Sequence, residues 1–308
     1  MIPDRFDSLS IDILKALGIS EPILIGKGDQ AWVYKYKPGT VIKIYRKIKT
    51  DYLESLAKLE KIIAKQNLPF AVTEIYEIHE KDGIYYTLEK ELMGKTLGKV
   101  FFSLSDENKE KALVQFLKAI DFLKKVTLGD YNFGQVLTTG EEISASSWVE
   151  FLNKKLTQRI NLVKDRLEED VYSLEEKIEL LHTIFSRYLN FNQKCLVHGD
   201  YFYNNVLYND DGNLTAMLDF SNSTVVGDYR MDIACGIMYF DLDIKWKEFL
   251  EKQAVEIWGK EISAIIKFYT AYQAFFQTES CLYNEGLYKW CLSYLNSDSF
   301  WEEIRNIR

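Results

Sequence analysis

The sequence predicts an α+β protein of two lobes, a small β-rich lobe followed by a larger helical one, with a cleft between them. Three observations carry that prediction. Up to Leu92 apolar and polar residues alternate between turn signals, and beyond Met93 the apolar residues recur at helical spacing. A single strong hairpin signal then interrupts the helical part at 196–220.

In order along the chain, Ile23 to Tyr45 alternates around Pro38-Gly39, which predicts two strands and a turn. Leu53, Leu56, Leu59, Ile62 and Ile63 then place one apolar face on a helix over 51–65. Ile75–His79 and Ile84–Glu89 flank the turn signal Lys81-Asp82-Gly83, giving two more strands. The first 92 residues are thus a small sheet with one helix. Helical periodicities follow at about 106–126, 147–190, 245–256 and 260–295. Between them, Val206-Leu207-Tyr208 and Leu214–Leu218 surround Asn209-Asp210-Asp211-Gly212-Asn213, a hairpin turn.

The 308 residues are 47% hydrophobic and 27% charged, a composition that excludes disorder. The N-terminus lacks a secretory signal and no apolar run approaches the roughly 18 residues of a membrane span, which points to a cytoplasmic protein with no membrane partner. Cys195, Cys235, Cys281 and Cys291 form no Cys-x-x-Cys pair and read as buried thiols, and three scattered histidines argue against zinc. The net charge of −8 disfavours a nucleic-acid partner. Residues 1–92 are neutral, whereas 198–285 hold 14 acidic and 6 basic side chains, a field that would draw in a cationic substrate.

Three segments have the look of phosphate binders. Gly26-Lys27-Gly28-Asp29-Gln30-Ala31 fits G-x-G-x-x-A, but the residues after it, Trp32-Val33-Tyr34-Lys35-Tyr36, are strand formers, so the glycines cap a hairpin and do not open a helix. Glycine there lets backbone approach phosphate oxygens without a Cβ in the way. Gly94-Lys95-Thr96 fails as a Walker A loop because Glu89 stands where glycine is needed. Lys43 lies in the apolar strand Val41-Ile42-Lys43-Ile44 beside the glycine hairpin; it is placed to reach phosphates, steadied by a helix carboxylate, Glu60 or alternatively Glu54.

The most specific signal is Leu196-Val197-His198-Gly199-Asp200 through Asn205, followed by Met217-Leu218-Asp219-Phe220. A hairpin turning at Gly212 pairs residues placed symmetrically about it, which sets Asn205 opposite Asp219 at roughly 5 Å. An amide oxygen and a carboxylate at that spacing suit Mg²⁺, a hard cation that keeps positions open for phosphates. Asp200, on the loop entering the hairpin, is a base for an attacking hydroxyl. His198, between apolar neighbours, reads as a hydrogen-bonding support of that loop.

Together these residues resemble the aminoglycoside phosphotransferase and choline kinase group, relatives of the protein kinases. The resemblance runs through the Gly26/Gly28 loop, Lys43, a helix glutamate, a hinge at Glu89–Met93, His198-Gly199-Asp200 with Asn205, Asp219, and Gly227-Asp228 with Asp232. Only twelve residues separate Asp219 from Asp232, too few for a long activation loop, so a protein substrate is disfavoured. Trp148-Val149-Glu150-Phe151 and Asn204-Asn205-Val206-Leu207 are similar to the hygromycin-type enzymes. The resemblance implies a bilobal kinase-like fold, with residues 1–92 as the nucleotide lobe and 93–308 as the catalytic and acceptor lobe. It also implies adenine binding at the hinge near Glu91 and Met93, and an acceptor site with Asp200, Asn204, Asp241, Asp243 and Glu279 as candidates. The expected activity is transfer of the γ-phosphoryl of ATP or GTP, with Mg²⁺, to a hydroxyl of a small cationic molecule such as an aminoglycoside. A metabolite kinase of the same fold, acting on an amino alcohol, homoserine or a sugar, and an inactive nucleotide-binding module are the alternatives.

Overall fold

A computed structural model describes residues 5–28 and 30–307. The first part comprises α1 (Arg5–Ala16), β1 (Leu24–Lys27), β2 (Ala31–Lys37), β3 (Thr40–Tyr45), α2 (Thr50–Ala64), β4 (Ala71–Val72), β5 (Ile75–Lys81) and β6 (Ile84–Lys90). Strands β1-β2-β3-β6-β5 form one antiparallel sheet in that order. On β3 the two-residue period sends Ile42 and Ile44 to one face, where they pack with Tyr34 against Ile13 and Leu14 of α1. Val41, Lys43 and Tyr45 lie on the other face. That is the side where α2 buries Leu53, Leu56, Leu59 and Ile63. The expectation of one helix before residue 92 is corrected: α1 is a second, on which Ile13 and Leu14 are the fully buried apolar residues among those described, too few to stand out as a periodic stripe.

The remainder begins with β7 (Lys95–Thr96), α3 (Leu97–Val100), α4 (Asp106–Leu123), β8 (Phe133–Gln135) and β9 (Ser144–Ala145). The segment expected as one periodicity over 147–190 is three helices, α5 (Trp148–Leu162), α6 (Lys164–Asp170) and α7 (Leu174–Tyr188), broken at Val163 and at Ser173, whose φ is 49°. Next come β10 (Cys195–Val197), β11 (Val206–Tyr208), β12 (Leu214–Met217) and β13 (Val225–Gly227). Helices α8 (Arg230–Met238), α9 (Ile244–Trp258), α10 (Ile262–Phe276), α11 (Glu285–Leu295) and α12 (Asp298–Asn306) complete the chain. Buried on all sides, α8 shows no amphipathic period, which is why the sequence pattern does not mark it.

Two small sheets hold the functional loops. One, β4-β12-β11-β7, wraps the β11–β12 hairpin between β4, which follows α2, and β7, which follows the hinge. The other, β10-β13-β8-β9, carries the strand that leads into His198. Among the described residues no helix is long and apolar enough to cross a membrane, and all four cysteines are free thiols, three of them buried.

Candidate active site

The loop after β10 is clamped from below. The N–H groups of His198 and Gly199 donate to the two oxygens of Asp232, at 2.7 and 2.9 Å, and Asp232 is wholly buried on α8. Burial pushes its carboxyl up to about 6, against the opposing pull of His198 and the two N–H donors. His198 Nε2–H donates to Leu218 O at 2.7 Å while its Nδ1 accepts the Asp200 N–H at 3.3 Å, which sets the tautomer and ties the loop to the end of the hairpin. Gly199 has φ +78°, and a Cβ there would lie 1.8 Å from Ser223 O, so only glycine fits. The loop thereby presents Asp200, whose carboxyl is raised by burial and by the Asp219 charge, with His198 and the Asn205 hydrogen bond opposing. Asn205 Nδ2 donates to Asp200 O at 2.8 Å and to its Oδ2 at 3.2 Å.

The hairpin register differs from expectation. Val206 pairs with Met217 and Leu207 with Ala216, and Leu218 N–H donates to Asn205 O at 2.8 Å, so Asn205 faces Leu218 and not Asp219. The cause lies in the turn. Asn209 Oδ1 accepts the N–H groups of Asp211 and Asn213, which centres the turn on Asp211 and moves the pairing by two residues, and an irregularity between Leu207 and Tyr208 restores one of them. Asp219 instead follows the strand with φ +58°, a conformation that costs a non-glycine residue roughly 1 kcal/mol or more. The turn aims its carboxylate across the cleft, 3.7 Å from Lys43 Nζ.

Lys43 therefore ion-pairs with Asp219, and Glu60 acts on it through its charge. Glu60 is buried, but its oxygens accept from Thr73 Oγ1 at 2.5 Å and Ile75 N–H at 3.0 Å. Glu54 lies exposed on α2. A second buried carboxylate, Glu89, was legible only as the start of the hinge. It accepts from Tyr45 OH at 3.0 Å and Thr87 Oγ1 at 2.5 Å, and Thr87 is the β6 residue paired with Lys43. The two-residue alternation of Thr87 and Glu89 on an otherwise apolar strand was the available signal. Burial opposes the Lys43 charge, yet Tyr45, Glu89, Asp219 and Glu60 together hold its pKa well above the usual lysine range. Burial and the Glu89 charge raise Glu60 to about 8.

Residues 24–260 match the model of the phosphotransferase enzyme family. The chain belongs to that family. Comparison with curated proteins finds no match by sequence. Among solved structures, the phosphotransferase is similar to the GDP complex of wild-type aminoglycoside 2'-phosphotransferase-IIIa, with a TM-score of 0.66 at 14% identity over 98% of this chain and 99% of the other. It is also similar to ADP-bound APH(2'')-Ib (TM-score 0.63, 15% identity, 94% and 96% covered) and to macrolide 2'-phosphotransferase type I (0.60, 16%, 96% and 99%). At these identities the likeness concerns the fold, which is the bilobal kinase-like one expected.

The other expected positions of the phosphotransferase fall into two groups. At the cleft entrance, Gly26 and Gly28 meet only ordinary contacts where a Cβ would stand, so nothing in the fold itself demands glycine there. In the hinge, Glu91 N–H already donates to Gly39 O and its side chain pairs with Lys35, while Met93 is exposed and its carbonyl accepts from Thr215 Oγ1. Of the acceptor candidates, Asn204 is exposed against Gly98, Asp241 accepts from Tyr203 OH at 2.7 Å, and Asp243 caps α9 through Lys245 N–H at 2.8 Å. Glu279 is ion-paired with Arg159. The Trp148 and Gly227-Asp228 motifs meet in one buried network: Trp148 Nε1 donates to Tyr269 OH, which donates to Asp228 Oδ2, and Asp228 holds Arg230 by both oxygens.

Proposed function

We propose that the protein is a Mg²⁺-dependent kinase that moves the γ-phosphoryl group of ATP or GTP to a hydroxyl of a small molecule in the cleft, with Asp200 as the base. The convergence of Lys43, Asp219, Asn205 and Asp200, drawn from three separate segments, carries this reading. The donor set fits the metal. Asn205 spends its Nδ2 on Asp200, which leaves Oδ1 as the atom to offer, and Asp219 adds a half-exposed carboxylate. Among the described residues no group of three His, Cys, Asp or Glu could cage a metal, in keeping with a cation that draws its other ligands from phosphates and water. When bound, Mg²⁺ supplies neutralisation of triphosphate charge.

The protein's own groups do the rest. Lys43, held cationic, donates to phosphate oxygens in place of Asp219; the Gly26–Gly28 turn offers backbone close to them. Asp200 takes the acceptor proton, and its raised carboxyl pKa brings its basicity nearer to neutral, where such transfers are most efficient. Neighbouring folds named for aminoglycosides and macrolides support a small acceptor. Against a polycationic one stand Asp243, committed to its helix cap, and Glu279, committed to Arg159. The test is Asp200→Asn: nucleotide affinity by calorimetry should stay within about threefold, while phosphoryl transfer falls about 10²–10⁴-fold. Near-normal turnover would refute the assignment.

A further inference from the structure

Asp219, at φ +58°, holds a backbone conformation that its surroundings must enforce, and it leads into a turn over 221–224. Thr224, wholly buried, closes that turn. Its N–H donates to Ser221 O at 2.8 Å, and its Oγ1 accepts the Ser221 N–H at 3.0 Å while donating to His198 O at 3.2 Å. Within the turn, the exposed Asn222 offers its carbonyl to β8, where Gln135 Nε2 donates to it at 3.1 Å. Gln135 is itself fixed. Its backbone pairs with Val225 on β13, and its Oε1 accepts from Ile143 N–H and from Lys155 Nζ, both at 3.1 Å. Lys155, 7% exposed on α5, also donates to Gln158 Oε1 at 3.0 Å, so its ammonium meets two neutral amides. Between Gln135, Lys155, Asn222 and Gly199 the packing leaves a gap of about 20 Å³, room for roughly one water, and the turn has little space to shift.

The two ends of the Gln135 amide therefore do different things. The oxygen anchors the side chain to α5 and to Ile143, and the nitrogen holds the turn that follows Asp219. A carboxylate of the same shape would keep the first function and lose the second, because it has no donor. We propose that Gln135 is a positioning residue for the metal, holding Asn222 so that the Asp219 carboxylate stays aimed at the cation. This rests on the phosphotransferase reading and adds to its metal site a side chain from β8, outside the loops that carry Asn205 and Asp219. Gln135 acts through the backbone of the turn, and no bond is made or broken at it.

The experiment measures, by calorimetry, the affinity for non-hydrolysable analogues of ATP and GTP in Mg²⁺ and in EDTA; the ratio of the two affinities is the coupling between metal and nucleotide. Gln135→Glu keeps an oxygen for Ile143 but turns an acceptor toward the Asn222 carbonyl. It also gives Lys155 a charged partner, since Lys155, lowered to about 8 by burial and by the Arg159 charge, is cationic at neutral pH. This variant should unfold at or above the parent's temperature, keep its metal-free affinity within about twofold, and lose about threefold or more of the Mg²⁺ coupling, the worth of one hydrogen bond. A new negative charge acting alone would favour the cation, so the expected loss has the opposite sign. Gln135→Met drops all three hydrogen bonds of the amide and should be less stable than the parent, yet lose the same share of the coupling. Coupling that is unchanged in either variant, or metal-free affinity that falls in step with it, overturns the proposal and leaves the kinase intact. A parent protein that binds no nucleoside triphosphate, or binds it equally with and without Mg²⁺, instead sinks the phosphotransferase reading, and the role of Gln135 with it.

Discussion

Gly227→Ala tests how the catalytic strand is held. Gly227 pairs with Cys195 across β13 and β10, the strand that delivers His198, Gly199 and Asp200. A Cβ on Gly227 would lie 2.1, 2.4 and 2.6 Å from three ring atoms of Trp148. Carbon atoms rest at roughly 3.5–4.0 Å, so ring and strand must separate by about 1.5 Å. The ring has little room to yield: it is wholly buried, stacked on Phe151 at 5.1 Å and hydrogen-bonded through Nε1 to Tyr269 OH at 2.8 Å. Overpacking of this kind costs about 1–3 kcal/mol, and a rigid ring against a strand backbone belongs at the upper end. For a chain of this size about 3 kcal/mol lowers the unfolding temperature by about 6 °C. Thermal and denaturant unfolding read the loss, and phosphoryl transfer should fall with it because β10 moves with β13. Adding Trp148→Leu to Gly227→Ala opens the space, so the double variant should lose less than the two single variants combined. A Gly227→Ala protein that unfolds within about 1 °C of the parent, or a pair of substitutions that simply add, would refute the packing account.

Two further variants address the nucleotide side. Lys43→Met removes a cation that faces Asp219 and the phosphate position; the KM for nucleotide should rise about 30-fold or more, since charge-assisted contacts of this kind are worth about 2 kcal/mol, and an unchanged KM in a steady-state titration would remove Lys43 from the site. Glu60→Gln tests the buried carboxyl pair through pH. Because Glu60 is raised from 4.5 to about 8, the folded chain holds a proton that the unfolded chain releases. Its contribution is full below pH 4.5 and lost as pH rises toward 8, by about 1.4 kcal/mol per unit, and Gln should abolish that slope in denaturant unfolding at pH 5, 6, 7 and 8. Parallel stability curves for the two proteins would show that Glu60 does not carry the shift.

Much of the site was readable because its chemistry is local. His198-Gly199-Asp200 and Asn205 lie on one loop, and the residue types alone suggest the proposed base and amide ligand beside a backbone turn that requires glycine. Lys43 was readable because a lysine between Val41, Ile42 and Ile44 must find an anion or water. What failed were the contacts set by register and by distance along the chain. The Asn209 turn and the irregularity after Leu207 move the pairing by one residue, and a one-residue slip changes which side chains face each other. Glu60 was the natural partner of Lys43 by spacing on α2, yet Thr73 and Ile75, which follow on the way to β5, satisfy it first. Asp232 was noted as part of a motif, but its two hydrogen bonds to backbone 33 and 34 residues earlier are tertiary facts with no local signature.

The same distinction governs the charge of the second half. Fourteen acidic against six basic side chains over 198–285 suggested a field for a cationic acceptor, because a sequence sum treats every carboxylate as facing the ligand. The structure commits several of them elsewhere. Asp232 holds backbone N–H groups, Asp228 holds Arg230 and Tyr269, Asp243 caps α9, and Glu279 answers Arg159. Asp200 and Asp219 lie close enough that the Asp219 charge raises the Asp200 carboxyl, with Lys43 the cation paired to Asp219. In the proposed kinase, two carboxylates against one lysine leave an excess of negative charge that a divalent cation would relieve. Average composition hides which carboxylates are already spent on caps, ion pairs and backbone N–H groups.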